Sequence, residues 1–301
     1  MDSYNSEVFF HIPGIFYHNN MIVKFIEEIH SNPDILKTNA KIGSTYDSPG
    51  GIWNGGRLIT YKKTIDNINK IYFVRDFLQQ HNIPMRFTFS NLLLTEEHLS
   101  DEYCNFLLEL FNTGNNEVIY ASDILGDYIR DKYGDRYKYI SSTTKRLNTP
   151  EAQLKEIDKD FYLVVIDYDY NKNLDFLKTI TNPEKCELFA NPFCMPNCPN
   201  RLQHFMQISK GVLGEKCDKY YAGCHDEYKA FWQRKNESHI TNFITSEEIN
   251  NIYLQMGFKH FKLEGRTIPA LELIEVLIYY LIKDEYALEI RHKLQSTLRI
   301  I

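Results

Sequence analysis

The chain has 301 residues, 43% hydrophobic and 25% charged, with a formal net charge of -6. That is enough apolar sequence to bury a full core, and an acidic balance with Lys and Arg scattered along the whole length excludes broad electrostatic capture of a phosphate backbone. No run of about 18 apolar residues is present, and the apolar stretch VFFHIPGIF follows Asp2 and Glu7 with no Lys or Arg, the wrong flank for a signal peptide; a cytosolic (cytoplasmic) protein with no membrane span and no nucleic-acid partner is expected.

Short β-rich apolar runs follow one another at 7–12 (EVFFHI), 41–45 (KIGST), 85–90 (MRFTFS), 117–121 (EVIYA), 137–142 (YKYISS), 161–167 (FYLVVID), 186–190 (CELFA) and 259–264 (KHFKLE). Segments of helical period lie between them at 20–31, 65–81, 99–112, 123–133, 150–159 and 172–180, and beyond the last strand at 269–283 and 284–299. Eight strands alternating with helices predict a closed parallel (β/α)8 TIM-type barrel, with an open doubly wound sheet as the competing topology. No Pro- or Ser-rich linker divides the chain, so residues 1–301 read as one barrel domain with a long insertion, about 192–258, between strands seven and eight.

In such a barrel the chemistry gathers where strands end and βα loops begin. After strand two, YDSPGGIWNGGR (46–57) places Trp53, Asn54 and Arg57 among four glycines. Glycines let backbone amides approach a ligand, Trp53 offers a stacking face, and Arg57 can hold a carboxylate or phosphate through two hydrogen bonds. The alternative is a surface loop with Trp53 docked as a plug; in either case the loop is expected to add little to the core. Asn91 after strand three joins this substrate-binding set. Asp123 after strand four reads as a helix N-cap, and Ser141 to Thr144, Asp167 and Asp169 supply further polar groups after strands five and six. In strand eight Lys262 and Glu264 alternate with Phe261 and Leu263, so one pair faces inward. Glu264 and Arg266 then stand at the strand end, where they either fix substrate, relay a proton or form a structural ion pair.

Cysteine placement is uneven. Cys104 lies on an apolar helical stripe, whereas Cys186, Cys194, Cys198, Cys217 and Cys224 fall within 39 residues. Cys186 opens strand seven, at the end of the barrel away from Asn191. Cys194 and Cys198 lie beyond that strand, and Cys217 and Cys224 lie in the insertion. In a reduced compartment such a cluster points to metal or catalysis before disulfides. Four thiolates suit an iron-sulfur cluster or a tetrahedral zinc, and the spacing C-x3-C-x18-C-x6-C does not choose between them. Arg201 and His204, three apart on a short helix after Cys198, share one face toward cluster or substrate.

The segment MGFKHFKLEGRT (256–267) resembles the vdsfKIEGR segment of the collagenase-like peptidase family U-32, and NPFCMPNCPNRLQHF (191–205) is similar to the N..C.P.C..R..H segment of several iron-sulfur members of that family. The resemblance implies a barrel that binds a 4Fe-4S cluster through four cysteines and adds hydroxyl groups without dioxygen. It makes Cys194 and Cys198 ligands and Cys217 and Cys224 the remaining pair, with Cys186 left open as a substitute. Glu264, Arg266 and His204 then stand as catalytic candidates, and Trp53, Asn54, Arg57, Asn91 and Arg201 as substrate-binding ones. The substrate would be a small or carrier-linked metabolite, and a homologous or redox protein a partner. Peptidase chemistry is poorly supported, because the family's label carries no agreed nucleophile to map onto this chain. No G-x-S-x-G, Walker, H-E-x-x-H or dinucleotide motif is present. The competing function class is a non-catalytic barrel, stabilised by zinc or a cluster and acting as a partner subunit.

Overall fold

The structure, a computed structural model, describes residues 7–56, 68–216, 231–239 and 241–298. Eight parallel strands close on themselves in chain order: β1 (Val8–Pro13), β2 (Ala40–Asp47), β3 (Met85–Phe89), β4 (Glu117–Tyr120), β5 (Lys138–Ser141), β6 (Leu163–Val165), β7 (Cys186–Phe189) and β8 (His260–Lys262). Closure is made by β1, which pairs with β2 on one side and β8 on the other, and a register shift falls between Phe10 and His11. Every strand therefore has two ladder partners, and the barrel has no open edge. The doubly wound alternative is ruled out.

Side chains alternate across each strand, and the two sets have different company. Phe10, Ile12, Phe87, Val118, Leu188 and Phe261 point to the helix layer and join one continuous core with Phe25, Leu78, Leu108, Ile129 and Leu277. The inward set is divided. Ile119, Ile140, Leu163, Val165 and Phe189 form a second apolar cluster on the β4–β7 side. His11, Arg86, Glu187 and Lys262 fill the remainder with buried polar and charged groups.

Several predicted helices are shorter than their periodic segments. The stretch 99–112 divides at Asp101, whose carboxylate accepts from Cys104 N and caps Glu102–Leu110 after a separate turn over Glu96–Ser100. Of 172–180 only Leu174–Leu177 is helical, since β-branched Thr179, Ile180 and Thr181 follow and lose side-chain freedom in a helix. The cap before Asp123–Tyr133 is Ser122, accepting from Leu125 N, and not Asp123, which is the first helical residue. In the segment between β7 and β8 the described residues form helices Arg201–Val212 and Phe231–Asn236 and a run of short turns from Ser246 to Met256. No helix among the described residues is long and apolar enough to cross a membrane.

Candidate functional site

The floor of the lumen is a charged network closed to water. Arg86 donates through Nε to Glu117 at 2.5 Å and through Nη1 to Glu187. His11 lies between Ser44 Oγ at 2.8 Å, His260 Nδ1 at 3.1 Å and Glu187 Oε2 at 3.3 Å. Burial, then Arg86, then His260 and Lys262 hold the His11 imidazole well below its usual range, and burial drops His260 to about 4. Both imidazoles are neutral near neutrality, so the floor carries Arg86 against two carboxylates.

One strand layer higher, Lys262 is also buried but is poorly paired. Its Nζ is 3.8 Å from Glu187 Oε1, beyond hydrogen-bonding distance, while Arg86 holds the other oxygen of that carboxylate, and it lies 4.2 Å from the centroid of Tyr46 and 5.5 Å from that of Phe189. No hydrogen-bond acceptor for it occurs among the described residues. Burial is the main reason its pKa falls to about 7, with Arg86 and Arg266 adding repulsion that Glu187 and Glu264 only partly offset. Lys262 opens upward into a pocket at the C-terminal mouth, walled by Ser90, Thr144, Tyr168, Phe205, Glu264 and Arg266. The enclosed space is about 50 Å³, room for about four water-sized bodies.

Glu264 ties this pocket to the cysteine loop. Its carboxylate accepts from Tyr168 Oη at 2.8 Å and from Phe193 N at 2.6 Å, while the Asn191 amide exchanges two hydrogen bonds with the Glu264 backbone at 2.7 and 3.0 Å. The stretches 191–205 and 256–267 thus meet at the mouth. Arg266 turns away from Glu264, donating to Thr88 Oγ1 at 2.7 Å, to Gly55 O at 3.2 Å and, more weakly, to Asn54 Oδ1 at 3.5 Å. Among the described residues the expected Glu264–Arg266 ion pair does not form.

Beyond Phe193, the loop carrying Cys194 and Cys198 reverses at Asn197, which has a φ of 53°; asparagine tolerates this left-handed conformation better than most residues. Two buried arginines hold the loop. Arg201 donates to Met195 O at 2.7 Å and bridges Asp167 and Asp169, and Asp169 in turn accepts from Asn197 N at 2.7 Å. Arg234, from the far part of the insertion, donates to Asn191 O and Pro192 O and stacks 4.0 Å over the Phe193 ring. The Arg201 guanidinium is close enough to Cys194 for the two to interact electrostatically. Cys198 is 8% exposed.

The remaining candidates separate into those the fold brings to the mouth and those it uses elsewhere. Trp53 is not a stacking surface: it is fully buried, donates to His98 O at 2.7 Å and packs edge-on against Phe89 and Tyr128. The loop around it is therefore core, contrary to expectation. Gly55 shows why glycines recur there, since a Cβ would lie 2.2 Å from Ser90 O; the close approach is to β3 and not to a ligand. Asn54 is buried behind the pocket wall, where its Oδ1 accepts from Thr88 Oγ1 at 3.4 Å and weakly from Arg266. Asn91 does not face the pocket, because its amide is committed to Ile52 O, Ser209 O and Leu93 N. Arg201 is a clamp on the cysteine loop instead of a substrate contact. His204 rests beside Phe205, and it is Phe205 that lines the pocket. Ser141 turns outward to Glu156 at 2.6 Å. Cys186 opens β7 at the opposite end, buried in the helix-facing core with its thiol pushed up to about 12 by burial. Arg57, Cys217 and Cys224 lie outside the described residues, and among the described residues no group of three or more His, Cys, Asp or Glu forms a metal site.

Lys262 and Arg234 were not among the predicted site residues. The alternation in KHFKLE was a signal for Lys262, whereas nothing in the local sequence marks Arg234.

No family model matches the chain. It is similar to the uncharacterized protease MJ1657 of Methanocaldococcus jannaschii, at 23% identity over 280 residues covering 89% of this chain and 80% of that protein. Among solved structures it is similar to the U32 peptidase Mk0906, at 12% identity and a TM-score of 0.52, covering 88% of this chain and 94% of that one. At that identity the likeness establishes a common barrel fold.

Proposed function

We propose that this chain is a U32-peptidase-type barrel that holds a 4Fe-4S cluster through Cys194, Cys198, Cys217 and Cys224 and modifies a small or carrier-linked metabolite at its mouth without dioxygen, most simply by hydroxylation. The observation that carries this reading is the Phe193 N to Glu264 hydrogen bond, which joins the cysteine loop to the only strand-end carboxylate lining the described pocket. The described residues supply half of the ligand set: two thiols four positions apart on a loop braced by Arg201 and Arg234, with a guanidinium beside Cys194. Such bracing reduces the entropy lost when two side chains are fixed toward one site. When bound, a 4Fe-4S cluster supplies one-electron transfer. The chain's own residues do the rest. Glu264, oriented by Tyr168 and Phe193 N, is placed to carry a proton to or from a substrate in the pocket, and Arg266 presents positive charge to an acidic one.

Purification without air, followed by iron, sulfide and zinc analysis, tests the reading. Brown protein that loses iron in Cys194→Ser and Cys198→Ser but keeps it in Cys104→Ser and Cys186→Ser is expected. Full iron retention in the Cys194→Ser, Cys198→Ser double variant overturns the site. Stoichiometric zinc without iron would instead make the protein a metal-stabilised partner subunit. Gelatin hydrolysis by iron-free protein would favour the peptidase activity that both similar proteins' names carry.

A further inference from the structure

We propose that Lys262 is a carbonyl-capturing amine: a small 2-oxo acid places its carboxylate against Arg266 and condenses with Lys262 Nζ to form an imine. The inference needs neither the cluster nor the cysteine loop, and so goes beyond the function proposed above. It rests first on position. Lys262 lines the mouth pocket together with Arg266 and Glu264, and its Nζ lies 4.2 Å from the centroid of Tyr46 and 5.5 Å from that of Phe189, two other residues of the same lining. It rests second on pairing. Glu187 is the one carboxylate within 4 Å among the described residues; its Oε1 lies 3.8 Å from Nζ, beyond hydrogen-bonding distance, and Arg86 shares its charge through Oε2.

The charged and titratable groups facing Nζ are Glu187 from β7, Arg86 from β3, His11 from β1, Tyr46 from β2, and Arg266 and Glu264 beyond β8. Two cations and the loss of water outweigh the carboxylates, which leaves much of the amine neutral and nucleophilic near neutrality. Arg266 lines the same small space. An occupant that touches both groups has a carbonyl carbon at one end and an anion at the other, and only a handful of non-hydrogen atoms fit.

The step balances without a further reactant. The Nζ lone pair adds to the carbonyl carbon as the C=O π bond opens, and the nitrogen loses a proton toward Glu187. Glu187 returns that proton to the alkoxide to give the carbinolamine hydroxyl, and the second N–H proton follows by the same route, so that the hydroxyl leaves as water as C=N forms. Hydrolysis reverses the sequence, and cyanoborohydride traps the imine as a secondary amine.

Pyruvate with cyanoborohydride, read by peptide mass spectrometry on the intact, folded protein, tests this. At pH 7 Lys262 should carry at least about tenfold more adduct than the exposed Lys178, because a lysine titrating near 7 holds far more neutral amine than one near its ordinary value of about 10.4. Labelling of Lys262 should reach half its maximum near pH 7, and Arg266→Gln should erase the preference for pyruvate over neutral acetaldehyde. Equal labelling of Lys262 and Lys178, or none at Lys262, overturns the proposal, and this reading requires no variant to fold. Running the labelling with and without iron separates it from the cluster: a Lys262 adduct in iron-free protein sustains this inference even where the cluster reading fails.

Discussion

The lumen contains two buried cations one strand layer apart, and they differ in how their charge is met. On the floor, Arg86 has two carboxylates, Glu117 and Glu187, and its guanidinium is held more firmly protonated than usual. At the mouth, Lys262 has only a share of Glu187 at 3.8 Å and two guanidiniums repelling it. Burial opposes both charges equally in kind; the number and distance of the partners decide the outcome. A fully compensated buried charge fastens one strand to another, whereas an under-compensated one shifts its protonation toward working pH and becomes available for chemistry.

The largest effect expected from this contrast is at the floor. Arg86→Met should lose about 3–5 kcal/mol of stability in urea unfolding, because two carboxylates stay buried without their cation. Lys262→Met at pH 7 should lose little or gain, and a comparable loss at both sites would break the contrast. Trp53→Ala sharpens it, since this residue lies by the mouth yet belongs to the core: a loss of about 3–5 kcal/mol is expected from the cavity left by a fully buried indole, with pyruvate labelling of Lys262 retained at temperatures where the variant is folded.

A smaller effect is the pH dependence of stability. Lys262 has a folded pKa of about 7, below its unfolded value, so between those values the unfolded chain binds more protons. Stability should then rise with pH from about 7 toward about 10, at up to about 1.4 kcal/mol per pH unit. Subtracting the Lys262→Met curve isolates this slope, and identical curves would show that the lysine is not perturbed. The smallest effect concerns the imidazoles. His260 titrates at about 4 in the folded chain and His11 well below its usual value. Their neutral forms support the fold above about 6.5, and that support is lost as pH falls toward 4. In acid titrations followed by circular dichroism, His260→Gln should lose less stability over this window than the parent; an equal loss would place the acid sensitivity elsewhere.

The eight strands and their order were legible because each strand of a closed parallel barrel is buried on both faces, and its apolar run therefore appears in one dimension. The placement of Glu264 beyond β8 and of Cys194 and Cys198 beyond β7 was legible for the same reason, since a strand end locates the mouth. Which way a side chain turns there was not. Trp53 goes inward because Phe89 and Tyr128 leave room for an indole and His98 O accepts its N–H, and none of those partners is adjacent in sequence. Arg201 was read as a substrate contact because helical spacing shows a shared face but not what that face meets, here Asp167 and Asp169.

The sequence by itself determined the barrel and the two segments that build its mouth, since periodicity and strand ends are local properties of the chain. Only the tertiary structure decided which buried charges are compensated. Lys262 and Arg86 are equally ordinary as letters, but the fold gives Arg86 carboxylates from β4 and β7 and leaves Lys262 between aromatic rings. Charge compensation depends on distances between residues far apart in the chain, and no local pattern encodes those distances.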